Sequence, residues 1–113
     1  MSLYHLALQS EWNRGQREGR YTPARFAADG FVHCCDDLET AAAIARAYFS
    51  TATEPLLLIT LDEAALDVEV RREAPAPPDG RPHAHHDGRK FPHVYGSLPL
   101  RAVSSVEPFE WRR

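Results

Sequence analysis

The sequence has few cysteines and no long apolar run, and both absences narrow the class of protein. Cys34 and Cys35 are adjacent, and a disulfide between neighbouring residues closes a strained ring, so reduced thiols are expected. Neighbouring strand residues face opposite ways, so at most one of the two should be buried. No apolar stretch reaches the roughly 18 residues of a membrane-spanning helix, and the opening MSLYHLAL lacks the basic start of a signal peptide. A cytoplasmic protein without a membrane partner is predicted.

An excess of basic charge is also absent. Lysines and arginines number 13 against 16 aspartates and glutamates, which gives a formal net charge of −3. Nucleic-acid surfaces need clustered basic side chains, so the charge argues against nucleic acid as a partner. The length of 113 residues and the apolar share of 43% suit a single domain over residues 1–113. No feature indicates an oligomeric state.

Strong catalytic motifs are missing as well. The chain has no Gly-rich phosphate loop, no G-x-S-x-G turn and no H-E-x-x-H helix. Cys35 shares a predicted strand face with His33, but their Cα atoms would lie about 6.5–7 Å apart along a strand. That separation is too large for a tight thiolate–imidazolium pair.

Hydrophobic periodicity predicts a small α+β protein with five or six strands and two main helices. Ser10 is the expected cap of the first helix and Gly19 its stop, whereas Gly15 weakens its middle. Asp36 and Glu39 resemble a capping box for the second helix. Strands are predicted over residues 3–8, 31–35, 55–61, 67–73, 91–96 and 100–111.

Residues 74–90, APAPPDGRPHAHHDGRK, are predicted to be a loop insertion because four prolines and two glycines interrupt regular structure. His83, His85 and His86 with Asp87 invite a metal interpretation. A built metal site needs ligands held on rigid elements with supporting hydrogen bonds. An exposed loop with adventitious metal affinity is therefore the interpretation we adopt, and no metal cofactor is expected.

Three further histidines, His5, His33 and His93, each lie on a predicted strand. They could be separate histidines, each hydrogen-bonded in its own part of the core or at an edge. Alternatively, they line one cleft together with Tyr4, Tyr95 and the predicted strand of residues 71–73. Sequence spacing alone does not choose between these two interpretations.

The segments LYHLAL, GRYTPARFAADGFVHCC, LLLITLD, VEVRRE and KFPHVYGSLPLRAV together resemble the domain-of-unknown-function 952 family, over nearly the whole chain. DGFVHC and FPHVYGSLPL are the most specific parts. The family usually has a shorter loop at residues 74–90. The fold of the family is similar to that of ADP-ribosyltransferases, a split β-barrel of two half-sheets that hold NAD in the cleft between them.

The resemblance implies roles for particular residues. His5 matches a histidine that bonds an NAD ribose hydroxyl, with Tyr4 beside it, and His33 matches a second histidine near the nicotinamide ribose. This makes the chain similar to the His-His subgroup that includes RNA 2′-phosphotransferases, which leaves an RNA end open as a partner. Glu73 is a candidate for the glutamate that stabilises the cationic transition state, as are the later glutamates Glu107 and Glu110. His93 and Tyr95 complete the pocket.

Three hypotheses about function follow. The first is an NAD-using ADP-ribosyl or 2′-phosphotransferase, which requires the strand histidines and a carboxylate in one cleft. The second is a non-catalytic module that binds a nucleotide or other small metabolite. The third is a structural or partner-binding protein whose histidines point to unrelated places.

Overall fold

The computed structural model describes residues 1–75 and 90–110, which form an α+β fold of antiparallel sheets and short helices. The strands are β1 (Ser2–Leu8), β2 (Arg20–Tyr21), β3 (Val32–His33), β4 (Leu56–Asp62), β5 (Val70–Glu73), β6 (Phe91–Val94), β7 (Leu98–Pro99) and β8 (Val103–Pro108). The helices are α1 (Gln9–Glu18), α2 (Phe26–Asp29) and α3 (Leu38–Tyr48), and single 3₁₀ turns occupy Glu63–Ala65 and Leu100–Ala102. In this part of the chain no helix is long and apolar enough to cross a membrane.

The first sheet has the order β1-β4-β8, with all neighbours antiparallel. Its central strand β4 is apolar along nearly its whole length because both of its faces are covered, as the run LLLITL predicts. Leu57, Ile59 and Leu61 belong to one core cluster, and Leu58 belongs to a second. The sheet therefore separates two apolar layers.

The second sheet has the order β3-β6-β5 and carries most of the predicted site residues. His33 on β3 and Arg71 on β5 both lie opposite His93 of the central strand β6. An isolated antiparallel bridge between Tyr4 and Cys35 connects this sheet to the first. The described strands thus form two three-stranded sheets and the two-stranded β2-β7 ribbon, and across them no closed barrel is present.

Helix α1 packs against β2 through a glycine. Gly15 is buried, and a Cβ atom placed on it would lie 2.9 Å from the Cα atom of Tyr21. The glycine that weakens the helix by propensity is thus the residue that lets β2 approach it. As predicted, the helix ends at Gly19, whose φ of 86° is in the left-handed region.

Both predicted helix caps differ from the observed ones. Ser10 lies inside α1, where its amide donates to the carboxylate of Glu54, so the expected cap at Ser10 is wrong. Helix α3 is capped by Asp37, whose Oδ1 accepts a hydrogen bond of 2.7 Å from the Thr40 amide. The Asp36 carboxylate instead accepts from Arg72, which leaves no capping box with Glu39.

The prediction that at most one cysteine is buried is also wrong. The regular strand ends at His33, and the next two residues pass between the apolar layers. Cys34 packs in the first core cluster and Cys35 in the second, so both thiols are buried and free. The expected end of the last strand at Trp111 and most of the loop insertion lie outside the described residues.

Candidate functional site

A cavity of about 190 Å³ lies where β1, α1, β2, the segment around α2, β3, α3 and β6 meet. Its wall is predominantly apolar and aromatic, and all three strand histidines contribute to it. The residues central to its chemistry are Tyr4, His5, Glu11, Tyr21, Phe31, His33 and His93. The three strand histidines therefore do not lie in unrelated places, as the third hypothesis requires.

His5 is held in a single neutral form at the base of the cavity. Its Nδ1 lies 2.6 Å from the carbonyl oxygen of His33, which can only accept, so Nδ1 carries the proton. Its Nε2 then accepts from the Tyr21 hydroxyl at 2.8 Å. Burial lowers the pKa of His5 to about 4 and raises that of Tyr21. Because both ring nitrogens are bonded, contact with a ribose hydroxyl would require His5 to release Tyr21.

His33 is oriented by a carboxylate from α2. Its Nε2 donates to Asp29 Oδ2 across 2.8 Å, and its ring is about one-third exposed. Burial lowers the pKa of His33, partly offset by the hydrogen bond to Asp29. Asp29 is itself contacted by the guanidinium of Arg25 at 3.3 Å. His33 is therefore a neutral imidazole whose N–H is directed at Asp29.

His93 is oriented in the same manner by a carboxylate from β5. Its Nδ1 donates to Glu73 Oε1 across 2.8 Å, and the Tyr95 hydroxyl donates to the same oxygen at 2.5 Å. These hydrogen bonds, that from Tyr95 first, lower the pKa of Glu73. Arg71 lies over the Tyr95 ring at 4.5 Å. Glu73 thus reaches the cavity only through His93.

Phe31 organises the rings of the second sheet. It stacks on His93 with centroids 4.0 Å apart, and its centroid lies 4.7 Å from that of His33 and 5.4 Å from that of Tyr95. The two imidazoles are 5.7 Å apart, nearly perpendicular. A small molecule in the cavity can therefore touch both imidazoles at once.

Two imidazole nitrogens are left without a protein partner. His33 Nδ1 and His93 Nε2 form no hydrogen bond within the described residues. In the same residues no buried side-chain nitrogen or oxygen lacks a partner, so these two atoms must be accessible. Since His93 is only 3% exposed and lines the cavity, its accessible edge faces that cavity.

The thiols beside the histidines are not poised as nucleophiles. Burial raises the pKa of Cys35 to about 12 and moves that of Cys34 in the same direction. Cys35 directs its thiol at the carbonyl oxygens of Tyr4 and Asp37. The thiolate that nucleophilic catalysis requires is thus disfavoured at neutral pH.

The structure places four of the residues expected in one cleft in the wall of the cavity, and it leaves Glu73 and Tyr95 outside that wall. Tyr4, His5, His33 and His93 line the cavity, and Glu73 and Tyr95 contact His93 from behind. The later glutamates are not part of it: Glu107 lies on β8 opposite Leu58, and Glu110 lies beside a separate hollow. The roles that the resemblance implies for these residues stay predictions.

Several site residues were not predicted from the sequence. Asp29 belongs to no predicted helix or strand, although its spacing of four residues from His33 could have suggested a pair. Tyr21 and Phe31 are aromatic residues of the segments that carry the family resemblance, and the sequence pattern assigns neither of them a role in the site. Glu11 lines the cavity and accepts a hydrogen bond from the Ala24 amide at 2.7 Å, and nothing in the pattern distinguishes it from a helix-start glutamate.

Metal ligands are not assembled in this region. Within residues 1–75 and 90–110, no group of three or more His, Cys, Asp or Glu side chains is arranged to hold a metal ion. The predicted loop tract of His83, His85, His86 and Asp87 lies outside the described residues.

Fold and site together define a small α+β protein with a histidine-lined cavity between two antiparallel sheets. The family described as "Protein of unknown function (DUF952)" matches residues 6–106, so the chain belongs to that family. No curated protein matches the chain.

Solved structures support the same fold. The crystal structure of protein CC0527 from Caulobacter crescentus is similar with a TM-score of 0.79 and 24% identity, over 97% of this chain and 87% of that one. A crystal structure of its double mutant gives a TM-score of 0.78 at 23% identity with the same coverage, and its solution NMR structure gives 0.64 at 24%, over 96% of this chain and 84% of that one. At this level of identity the likeness concerns the fold alone.

Proposed function

We propose that this protein binds a small nucleotide-type molecule in the histidine-lined cavity, with NAD as the first ligand to test. The observation that carries the proposal is that His33 and His93, each with one unpartnered ring nitrogen, line one mostly apolar cavity. Apolar walls with a few convergent polar groups are what small-molecule sites have in common. Ribose hydroxyls can donate to such nitrogens while a flat base or pyridine ring contacts the aromatic wall.

The size of the cavity sets which part of the ligand it holds. Pockets for drug-sized molecules are roughly 300–1,000 Å³, whereas a cavity of about 150 Å³ takes a benzene ring. The cavity of about 190 Å³ therefore suits one ring system, with the rest of a dinucleotide lying outside it. The ADP-ribosyltransferase-like fold belongs to this proposal: two three-stranded sheets meet at the Tyr4–Cys35 bridge beside the cavity, as the two half-sheets of that fold meet at a cleft.

The test is ligand binding to the full chain. Thermal shift and calorimetry with NAD, nicotinamide, ADP-ribose and AMP should show saturable binding of at least one compound. His33→Ala and His93→Ala should each weaken that binding about 10-fold or more, since each removes a hydrogen bond inside a partly dehydrated site. Arg46→Ala, at an exposed position of α3 outside the cavity, should leave it unchanged. Equal affinity of the wild type and both histidine variants would refute the site.

An NAD-using ADP-ribosyl or 2′-phosphotransferase is the second candidate, and Glu11 favours it. Of the described residues that line the cavity, only Glu11 carries a carboxylate. Release of nicotinamide leaves a developing cation on the ribose, which a nearby carboxylate stabilises. Nicotinamide release from NAD that is lost in Glu11→Gln, with binding retained, supports this candidate. Binding without release supports the non-catalytic module.

A further inference from the structure

We propose that His33 and His93 work as an acid–base pair on a substrate in which the bond to be broken ends in an oxygen leaving group. One imidazole takes a proton from an attacking hydroxyl, and the other gives a proton to the departing oxygen. The inference rests on the proposed function because it uses the same cavity. It goes further by naming the chemistry that the two histidines are built to perform.

The first argument is the matched support of the two rings. Each imidazole directs one N–H at a carboxylate 2.8 Å away: His33 at Asp29 and His93 at Glu73. A carboxylate in this position fixes the tautomer of the imidazole and stabilises the cation that forms when the other nitrogen takes up a proton. His5, whose ring nitrogens are bonded to the His33 carbonyl and the Tyr21 hydroxyl, has no such carboxylate partner.

The second argument is the placement of the free nitrogens. The rings are 5.7 Å apart at their centroids, and both line the same cavity. A tetrahedral reacting centre between them could receive a nucleophile from one side and lose a leaving group toward the other. His5 is the contrast, because the His33 carbonyl and Tyr21 occupy its nitrogens, so it holds the site together without exchanging protons.

The third argument concerns which leaving group needs an acid. Nicotinamide leaves from NAD as a neutral base, so an acid–base pair contributes little to its departure. An alkoxide is a poor leaving group unless it is protonated as the bond breaks, and a positioned acid contributes roughly 10²–10⁴-fold to the rate. A pair of carboxylate-supported histidines therefore points to a phosphoester or a similar oxygen-linked group of a nucleotide.

A nucleoside 2′,3′-cyclic phosphate is the simplest substrate of this class. A neutral imidazole takes one proton from water, and the water oxygen forms a bond to phosphorus. The bond from phosphorus to one ribose oxygen breaks, and that oxygen takes a proton from the imidazolium of the partner histidine. The product is a nucleoside monophosphate, and proton exchange with solvent restores both histidines.

Charged and titratable groups close to the two rings enter any pH dependence. Those from the surrounding elements are His5 and Tyr4 on β1, Glu11 on α1, Tyr21 on β2, Arg25 and Asp29 at α2, Cys34 and Cys35 after β3, Tyr48 on α3, Arg71 and Glu73 on β5, and Tyr95 after β6. The acid and the base must hold opposite protonation states, so kcat/KM should follow a bell-shaped pH profile.

The experiment measures turnover of nucleoside 2′,3′-cyclic monophosphates by the full chain, in the presence of EDTA, by chromatography of the products. His33→Ala and His93→Ala should each lower kcat about 10²-fold or more. Asp29→Asn and Glu73→Gln should lower it less and shift the pH profile. The matched carboxylate controls Asp36→Asn and Glu69→Gln should leave it unchanged. Absence of turnover, or turnover that EDTA abolishes, overturns the acid–base proposal.

A readout without substrate separates this inference from the proposed function. Nitrogen-15 NMR of the imidazoles should show the Nε2–H form for His33 and the Nδ1–H forms for His5 and His93. Asp29→Asn should alter the tautomer balance of His33 alone, and Glu73→Gln that of His93 alone. The opposite tautomers in the wild type overturn the inference even if NAD binds. Correct tautomers with cyclic-phosphate turnover and no NAD binding refute only NAD as ligand.

Discussion

Among single residues, His5 illustrates how a conspicuous histidine can be structural. Its position on the first strand matches a ligand-binding histidine in the resemblance, yet the His33 carbonyl and the Tyr21 hydroxyl occupy both ring nitrogens. The bond to the His33 carbonyl ties β1 to β3 directly beneath the cavity. The same imidazole that would contact a ligand in a related site here joins the strands that form the cavity wall.

Burial of neutral His5 predicts a loss of stability on acidification. The pKa is about 4 in the folded chain against an ordinary value of 6.5 for histidine, so between these pH values the unfolded chain binds more protons than the folded one. The stabilisation is therefore complete above about pH 6.5 and is lost as the pH falls through 4. The shift corresponds to about 3 kcal/mol in the free energy of unfolding.

Urea unfolding at a series of pH values from 7.5 to 4.5 measures this effect, with His5→Gln as the comparison because Gln does not titrate there. Wild type should lose more stability than His5→Gln over the range. Parallel curves for the two proteins contradict the prediction. If the variant folds poorly, an NMR titration of the His5 ring in the wild type tests the same pKa. A titration midpoint near pH 6.5 in the folded chain would also contradict the prediction.

At the level of elements, Gly15 in α1 shows that tertiary packing can outweigh helix propensity. Gly15→Ala should stabilise an isolated helix by about 1 kcal/mol. In the folded chain its new methyl group would meet the backbone of Tyr21 at 2.9 Å, and backbone cannot rotate away. We expect a net destabilisation of about 1–3 kcal/mol. Gln16→Ala, at an exposed position in the same helix, is the control and should change stability by less than about 0.5 kcal/mol.

Helix α3 gives a second prediction from two adjacent aspartates. Asp37→Ala removes the cap of the Thr40 amide and should cost about 0.5–2 kcal/mol. Asp36→Ala removes an ion pair with Arg72 at the surface, where such pairs contribute about 0–1 kcal/mol. Chemical denaturation should rank Asp37→Ala as the more destabilising change. The reverse order would contradict the cap at Asp37 and favour the capping box of Asp36 and Glu39 that the sequence suggests.

Elements with a long periodic pattern were predictable, whereas the two-residue strands β2 and β7 were not. The seven-residue strand β4 is apolar along most of its length because it is central in its sheet, and the run LLLITL in the sequence predicts this. Each of the strands β2 and β7 has too few residues to show a period, and they are recognised only by the pairing of Arg20 with Pro99 and of Tyr21 with Leu98. The pairing of Asp29 with His33 depends on how α2 turns into β3, which spacing does not determine.

On the scale of the whole molecule, hydrogen bonds from β1 to His33 and Cys35 join the two larger sheets. The amides of Tyr4 and Cys35 donate to each other's carbonyl oxygens at 2.9 and 2.8 Å, and His5 Nδ1 donates to the His33 carbonyl. The joint is covered on both sides, since Cys34 and Cys35 pack in different core clusters. The cavity beside the joint therefore keeps its shape only while both cores stay intact.

This arrangement predicts that the sheets do not separate before the chain unfolds. Opening the Tyr4–Cys35 bridge would expose Cys35, which is 2% exposed, together with the Leu58 layer it packs against. Native-state hydrogen exchange should then give the Tyr4 and Cys35 amides the same opening free energy as Ile59 in the central strand. The Ala28 amide, in the short helix α2 at an exposed position, should exchange through local opening. A markedly lower value for Tyr4 and Cys35 than for Ile59 would mean that the sheets part on their own, and the cavity with them.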